Sequence, residues 1–372
     1  MKQREPTLSW GSFGGRSRRD AESPLAAQLL HVVDFGLAAT VCVAPFVFGG
    51  RHDLGRLVFV TLTAVTAVAW FLRQSLLPKA FWTRTAAHLL ILSATALVVL
   101  QLVPLPANWI ADLAPRVSEL LPLWTSGAAS IQLGTWNTLS LTPHETTLAL
   151  AMLLSYALLF LVLTQRIQTV SDVERLLNLV AFAAVLMAGF GLLQYFFSNG
   201  RFFWCYEHPF RTTDQYVTGS FMNRNHFAGF LVLGIGPLAR WLISTLRDPT
   251  SKATRRTPAA VDVTYIPVLL LVSSVTVTLL AIALSLSRGG AIALFAAAAV
   301  LSVIYLRWRL VDAKYLYGLV GLAMLLIGIL SIYGYDKVTA RLDDLVEGSV
   351  EAVDRGEGRR TVWAANVTAI QQ

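Results

Sequence analysis

Residues Tyr265–Leu286, YIPVLLLVSSVTVTLLAIALSL, run for 22 positions without a charged side chain. Wound as an α-helix they reach about 33 Å, enough to cross a hydrocarbon core of about 30 Å. Eight more blocks of this kind flank them: Leu30 to Phe48, Leu57 to Leu72, Ala86 to Val103, Thr146 to Leu163, Leu176 to Phe197, His226 to Thr245, Ala291 to Leu306 and Leu316 to Ile332. The chain as a whole is 55 % hydrophobic and only 14 % charged, with a mean hydropathy of +0.59, outside the range of soluble domains. The expected fold is all-α, a polytopic transmembrane helical protein of about nine spans. The weakest block is the second, whose apolar stretch is short and which a tight hairpin through Gly49, Gly50, Arg51, His52 and Asp53 ties to the first.

Charge placement orients these spans. Cytoplasmic flanks collect Lys and Arg, and with the N-terminus inside they hold eighteen of the 30 basic residues. The net charge of +8 follows from that asymmetry, so the chain carries no nucleic-acid signal. If the second block failed to span, every later segment would invert. The domain reading is a disordered cytoplasmic tail over residues 1–25, three spans over 26–104, a core with two outer loops over 105–332, and the start of an outer helical region over 333–372.

Cys42 lies in a span and Cys205 in an outer loop, which gives two free thiols and no disulfide framework. Thr142-Pro143-His144-Glu145 and Ser171-Asp172-Val173-Glu174 both carry the pattern of a capping box and are expected to open the fourth and fifth spans. The outer loop Pro104–Leu141 contains Trp109, Trp124 and Trp136, as a membrane-interface lid would. The outer loop Ser198–Asn225 is dense in Trp204, Tyr206, Glu207, His208, Arg211, Asp214 and Tyr216. Beyond Tyr333, Val338, Leu342, Leu345 and Val346 mark an amphipathic helix with Asp343 and Asp344 on its solvated face. A turn at Gly356-Glu357-Gly358 then leads into a helix with Arg359, Arg360 and Trp363. No helix-ending signal precedes Gln372, so the chain reads as cut off there.

Two arginines at the ends of apolar blocks demand an explanation. Asn223-Arg224-Asn225-His226 opens the sixth span, with Asn223 or Asn225 as its N-cap. Arg224 there opposes the helix dipole, and a bound anion such as phosphate would balance it. Arg288, in Ser285-Leu286-Ser287-Arg288-Gly289-Gly290, is the sole basic residue between Tyr265 and Leu306. A cation in such apolar surroundings calls for a negative partner. No Asp or Glu stands near it in sequence, which leaves distant protein or a bound anion. His226 at the top of its span suits a hydrogen bond to the scaffold.

The run Gly219–Phe230 (GSFMNRNHFAGF), the run Leu284–Gly290 (LSLSRGG), Gly358-Arg359 followed by Trp363, and Trp136–Pro143 (WNTLSLTP) together resemble the O-antigen ligase/polymerase (Wzy_C-like) superfamily of bacterial envelope glycosyltransferases. The resemblance covers roughly Pro104 to the end. It implies a metal-independent transferase in the bacterial inner membrane that works without a cofactor. Such an enzyme takes a glycan from a polyprenyl diphosphate lipid at the periplasmic face and passes it to the hydroxyl of a lipid or polysaccharide acceptor. It also implies that Arg224 and Arg288 hold the diphosphate, with Asn223, His226 and Arg359 completing the substrate-binding set and membrane lipids as the surroundings. The family's catalytic His is expected beyond Gln372, so the chain as it stands is expected to bind donor without turning it over.

A membrane transporter is the alternative, since many spans with glycines and Pro237 also suit a permease. A carrier would place ionisable groups near the bilayer midplane, but the few candidates, His31, Asp34 and His88, are all read towards inner ends of their blocks, and the last four spans carry no acidic residue in their interiors. A third reading is a non-catalytic subunit of a polysaccharide assembly complex. No Walker motif, zinc-ligand spacing or dinucleotide fingerprint is present in the sequence.

Overall fold

The computed structural model describes residues 23–50, 52–78, 82–115, 137–247, 265–307, 362 and 364–368. Among them the protein is all-helical, with no strand. In order they are α1 (Pro24–Cys42), α2 (Asp53–Leu76), α3 (Ala86–Leu102), α4 (Ala107–Leu113), α5 (Pro143–Arg166), α6 (Val170–Phe196), α7 (Arg224–Arg247), α8 (Tyr265–Leu284) and α9 (Arg288–Arg307). Six helical segments are long and apolar enough to cross a membrane: Pro24–Phe46, Asp53–Leu76, Pro143–Arg166, Val170–Phe196, Arg224–Leu246 and Pro267–Leu284. Ala86–Leu102 and Arg288–Leu301 are shorter apolar helices. Eight of the nine apolar blocks are thus helical; the ninth, Leu316–Ile332, lies outside the described residues, with the amphipathic segment after Tyr333 and with Arg359 and Trp363.

The boundaries differ from the apolar blocks because polar residues at the ends are helical too. Ser23 caps α1 by accepting from the Ala26 N–H at 3.2 Å, and Pro24 takes the first helical position. The helix therefore begins inside the segment read as disordered tail. It stops at Cys42, and two 3₁₀ turns follow, Ala44–Phe46 and Phe48–Gly50. Pro45 has no N–H to continue the ladder, and Phe48, Gly49 and Gly50 adopt φ of 51°, 64° and 71°. The block judged weakest becomes α2, a 24-residue helix about 36 Å long.

Neither proposed capping box forms as read. Thr142 precedes α5 without a side-chain cap, because its own N–H donates to the Ser140 hydroxyl at 3.2 Å and Ser140 also bonds Thr146 at 2.7 Å. At α6 the box sits two residues earlier than Ser171. Thr169 Oγ1 accepts from the Asp172 N–H at 3.2 Å, and Asp172 Oδ2 accepts from the Thr169 N–H at 3.0 Å.

The chain forms two compact units, Met1–Val173 and Glu174–Gln372. In the first, α1 packs on α2, and both α2 and α3 pack on α5. Val33, Leu37, Ala67, Ala69, Trp70 and Val162 make its core. A Cβ at Gly36 would overlap Thr66, so glycine is what allows α1 and α2 to approach, as small residues do between membrane helices. Leu105 N–H donates to the Asn137 carbonyl at 2.6 Å and Ser140 N–H to that of Gln101 at 3.0 Å. The two described ends of the first long loop are therefore joined, through the segment beginning at Asn137. In the second unit α7 packs on α8 and α9, with Ala181, Leu238 and Leu271 at the core.

Large apolar side chains cover the outside. Phe35, Leu90, Ile292 and Phe295 are each at least 70 % exposed, and α3 buries no residue at all. In water such a surface would be a severe liability. In lipid it is the ordinary exterior of a multi-pass protein.

Candidate functional site

Arg224 and Arg288 occupy the same position in two helices. Asn223 is the N-cap of α7: its Oδ1 accepts from the Asn225 N–H at 2.8 Å, and its carbonyl accepts from the N–H groups of His226 and Phe227, each at 3.1 Å. Arg224 is then the first helical residue. Ser287 is the N-cap of α9, its Oγ accepting from the Gly290 N–H at 3.0 Å and its carbonyl from the Ala291 N–H at 2.9 Å. Arg288 is the first helical residue there. Each guanidinium thus stands at the positive end of a helix dipole, where an anion is favoured and a cation disfavoured by about 0.3–1 kcal/mol.

The two helix starts are bound to each other. Ser287 Oγ donates to Asn225 Oδ1 at 2.7 Å, and Val217 N–H donates to the Leu284 carbonyl at 3.1 Å. Motifs about sixty residues apart in sequence therefore share one frame. Gly290 is packed so closely on Ala228 that a Cβ there would overlap it, whereas a Cβ on Gly289 would meet nothing within 4 Å. Among the described residues, the glycine pair beside Arg288 thus splits into one packing residue and one with nothing against it. Leu286, just before Ser287, holds φ of 51°, a left-handed conformation costing a non-glycine residue about 1–3 kcal/mol.

The segment before Arg224 is folded rather than loose. Tyr216 lies beneath the Arg224 guanidinium, 4.9 Å from ring centroid to Cζ, and its hydroxyl accepts from Arg211 Nη1 at 3.1 Å. Stacking engages the face of Arg224 and is compatible with in-plane N–H donation to an oxyanion. Gln194, near the end of α6 and 1 % exposed, donates to the Gly219 carbonyl and accepts from the Phe203 N–H, both at 2.8 Å. Ser198 bonds Thr213 at 2.7 Å, and Trp204 Nε1 donates to the Phe197 carbonyl at 2.8 Å. Gly219 takes φ of 54° and lets Phe227 and Met187 close against it.

Among the sequence-derived site residues, Asn223, Arg224 and Arg288 come together through this frame. His226 is exposed on the first turn of α7; its ring makes no hydrogen bond among the described residues, so the scaffold bond expected of it is not formed. Arg359 lies outside the described residues. His208 is occupied, its Nδ1 accepting from the Phe210 N–H at 3.1 Å with Phe202, Tyr206 and Phe210 around its ring. The sequence reading missed Gln194, Asn225 as a bridge, and Ser287. Only Gln194 left a signal: it is the single amide side chain in the apolar part of its span between Leu179 and Phe197.

No family model, curated protein or solved structure matches this chain.

The residues offered for transport have other work in the first unit. Asp34 receives two hydrogen bonds from Arg166, at 2.6 and 2.9 Å, and Arg166 also bonds Asp172 at 3.0 Å. His88 Nδ1 accepts from the Thr85 N–H at 3.3 Å, and its Nε2 lies 3.3 Å from the Thr164 hydroxyl. Asp34, midway along α1, is thus tied to the last residue of α5, and His88 in the first turn of α3 lies against the last turn of α5.

Proposed function

We propose that this protein is a membrane glycosyltransferase of the O-antigen ligase or polysaccharide polymerase type, and that the α7 and α9 helix starts receive the diphosphate of a polyprenyl-linked glycan. The observation carrying this reading is the bonded pair of helix starts, each with an arginine at its first position. In the transfer, the bond between the glycan's anomeric carbon and the diphosphate oxygen breaks while the acceptor hydroxyl oxygen bonds to that carbon. The acceptor proton passes to a base, and the diphosphate departs with the electron pair. Two guanidinium groups and two helix dipoles at a low-dielectric surface stabilise the charge that builds on the leaving diphosphate. That stabilisation is the donor half of the reaction.

The same reading sets the topology: about nine spans in a bacterial inner membrane, N-terminus in the cytoplasm, with the α7 and α9 starts at the periplasmic face. The positive-inside count supports that orientation. Engagement of Asp34 by Arg166 and of His88 by Thr85 weighs against ion-coupled transport.

Binding of a polyprenyl diphosphate-linked glycan to the protein in nanodiscs tests the proposal. Arg224→Ala and Arg288→Ala should each weaken binding roughly tenfold to a hundredfold, the loss of a charge-assisted contact of about 1.5–3 kcal/mol. A parent protein that does not bind, or variants that bind as it does while folded, would overturn it.

A further inference from the structure

We infer that Asn225 and Ser287 are positioning residues whose hydrogen bond holds Arg224 and Arg288 at the separation needed to grip both phosphates of one diphosphate; the inference rests on the donor-site reading above. Ser287 Oγ uses both of its functions at this point, accepting from the Gly290 N–H at 3.0 Å and donating to Asn225 Oδ1 at 2.7 Å. The first bond fixes where α9 begins, and the second fixes that beginning against α7. Arg288 follows Ser287 directly and Arg224 precedes Asn225 directly, so each arginine backbone is one residue from the bond.

The surroundings make this bond the adjustable member of the frame. The Gly290 and Ala228 contact sets how closely the helices approach, and the Val217 to Leu284 backbone bond at 3.1 Å fixes the strand of chain leading in. Neither sets the rotation of one helix start about the other. A side-chain bond between the second helical residue of α7 and the cap of α9 does. The left-handed Leu286 delivers Ser287 to that position against its own backbone preference, and the Ser287 bonds are what hold it there.

A single phosphate can be met by one arginine, whereas a diphosphate is met by both only if their spacing is right. The bond should therefore govern preference for diphosphate over monophosphate more than affinity as such. Asn225→Ala tests this while leaving the Ser287 cap on Gly290 and the Asn223 cap on α7 in place. The measurement is the dissociation constant of polyprenyl diphosphate and of polyprenyl monophosphate for the parent, Asn225→Ala, Ser287→Ala, the double variant and Ser287→Thr, all in nanodiscs.

The parent should prefer diphosphate by about tenfold or more. Asn225→Ala should bring that ratio to within about threefold with monophosphate affinity little changed. The double variant should be no worse than the poorer single one, because both remove one bond, and Ser287→Thr, which keeps the hydroxyl, should restore the preference. A purely structural role would lower both affinities together and leave the ratio intact, and that result overturns the inference. If Arg288→Ala abolishes the preference while Asn225→Ala retains it, the donor site stands and the positioning role fails. If the parent shows no preference, both fall. Should Ser287→Ala not fold, Asn225→Ala and Ser287→Thr decide the matter.

Discussion

Arg166, the last residue of α5, holds both carboxylate oxygens of Asp34 in α1, at 2.6 and 2.9 Å, across 132 positions of sequence. Its third bond, to Asp172 at 3.0 Å, reaches the capping box that opens α6. One guanidinium therefore ties two helices to the first turn of a third. Planar, bidentate geometry is what arginine supplies and lysine does not.

Asp34→Ala removes two of those bonds and should lower stability by about 1.5–3 kcal/mol, read as a lower thermal midpoint in detergent. Asp34→Asn, which keeps one acceptor oxygen, should lose less, and Arg166→Lys should fall between Arg166→Ala and the parent. A coupling carboxylate in a carrier would behave in the opposite way: substrate uptake would fail with Asp34→Asn while the thermal midpoint held.

Gln194 is buried at the end of α6 and bonds the Gly219 carbonyl and the Phe203 N–H, both at 2.8 Å. Gln194→Leu keeps the volume but strands two backbone groups, at about 1–3 kcal/mol for each that stays buried. The segment from Ser198 to Met222 should then become far more susceptible to protease, with the spans themselves intact. Gln194→Glu retains the acceptor for the Phe203 N–H but loses the donor to the Gly219 carbonyl, so hydrogen exchange at the Phe203 amide should stay slower than in Gln194→Leu.

Much of this architecture was legible because apolar length is a coarse signal that survives error. Tyr265–Leu286 and Thr146–Leu163 could be little else than membrane-length helices. The ends were not legible. Val170, Ser171 and Asp172 are helical because Thr169 and Asp172 cap one another, and a capped polar turn looks like loop to a count of apolar residues. At the site, Arg224 and Arg288 drew attention as charges in costly places. Their linkage depends on Ser287 and Asn225, 62 positions apart; both stand in the quoted motifs, but nothing local shows that the two bond each other.

Gly289 and Gly290 should separate by substitution. Gly290→Ala meets Ala228 and crowds Ser287, so α9 must shift from α7 and the thermal midpoint should drop, since overpacking costs about 1–3 kcal/mol. Gly289→Ala meets nothing within 4 Å and should leave the midpoint unchanged or raise it, alanine being the better helix former. A large side chain is the sharper probe. Gly289→Trp should fold as the parent does, and if the proposed donor site is right it should lose diphosphate-lipid binding by filling the space beside Arg288.

Tyr216 carries two separable functions, a ring beneath Arg224 and a hydroxyl that accepts from Arg211. Tyr216→Phe keeps the ring and removes the acceptor; Tyr216→Leu removes both. If the stacked ring is what aims the Arg224 N–H donors, the Phe variant should bind polyprenyl diphosphate within about twofold of the parent. The Leu variant should lose about 0.5–2 kcal/mol, or roughly twofold to thirtyfold in affinity. If Arg211 is instead the cation that matters, Tyr216→Phe should weaken binding as much as Tyr216→Leu, and Arg211→Ala should match both. The comparison of Phe with Leu thus assigns the second cation beside Tyr216 either to the ligand or to the scaffold.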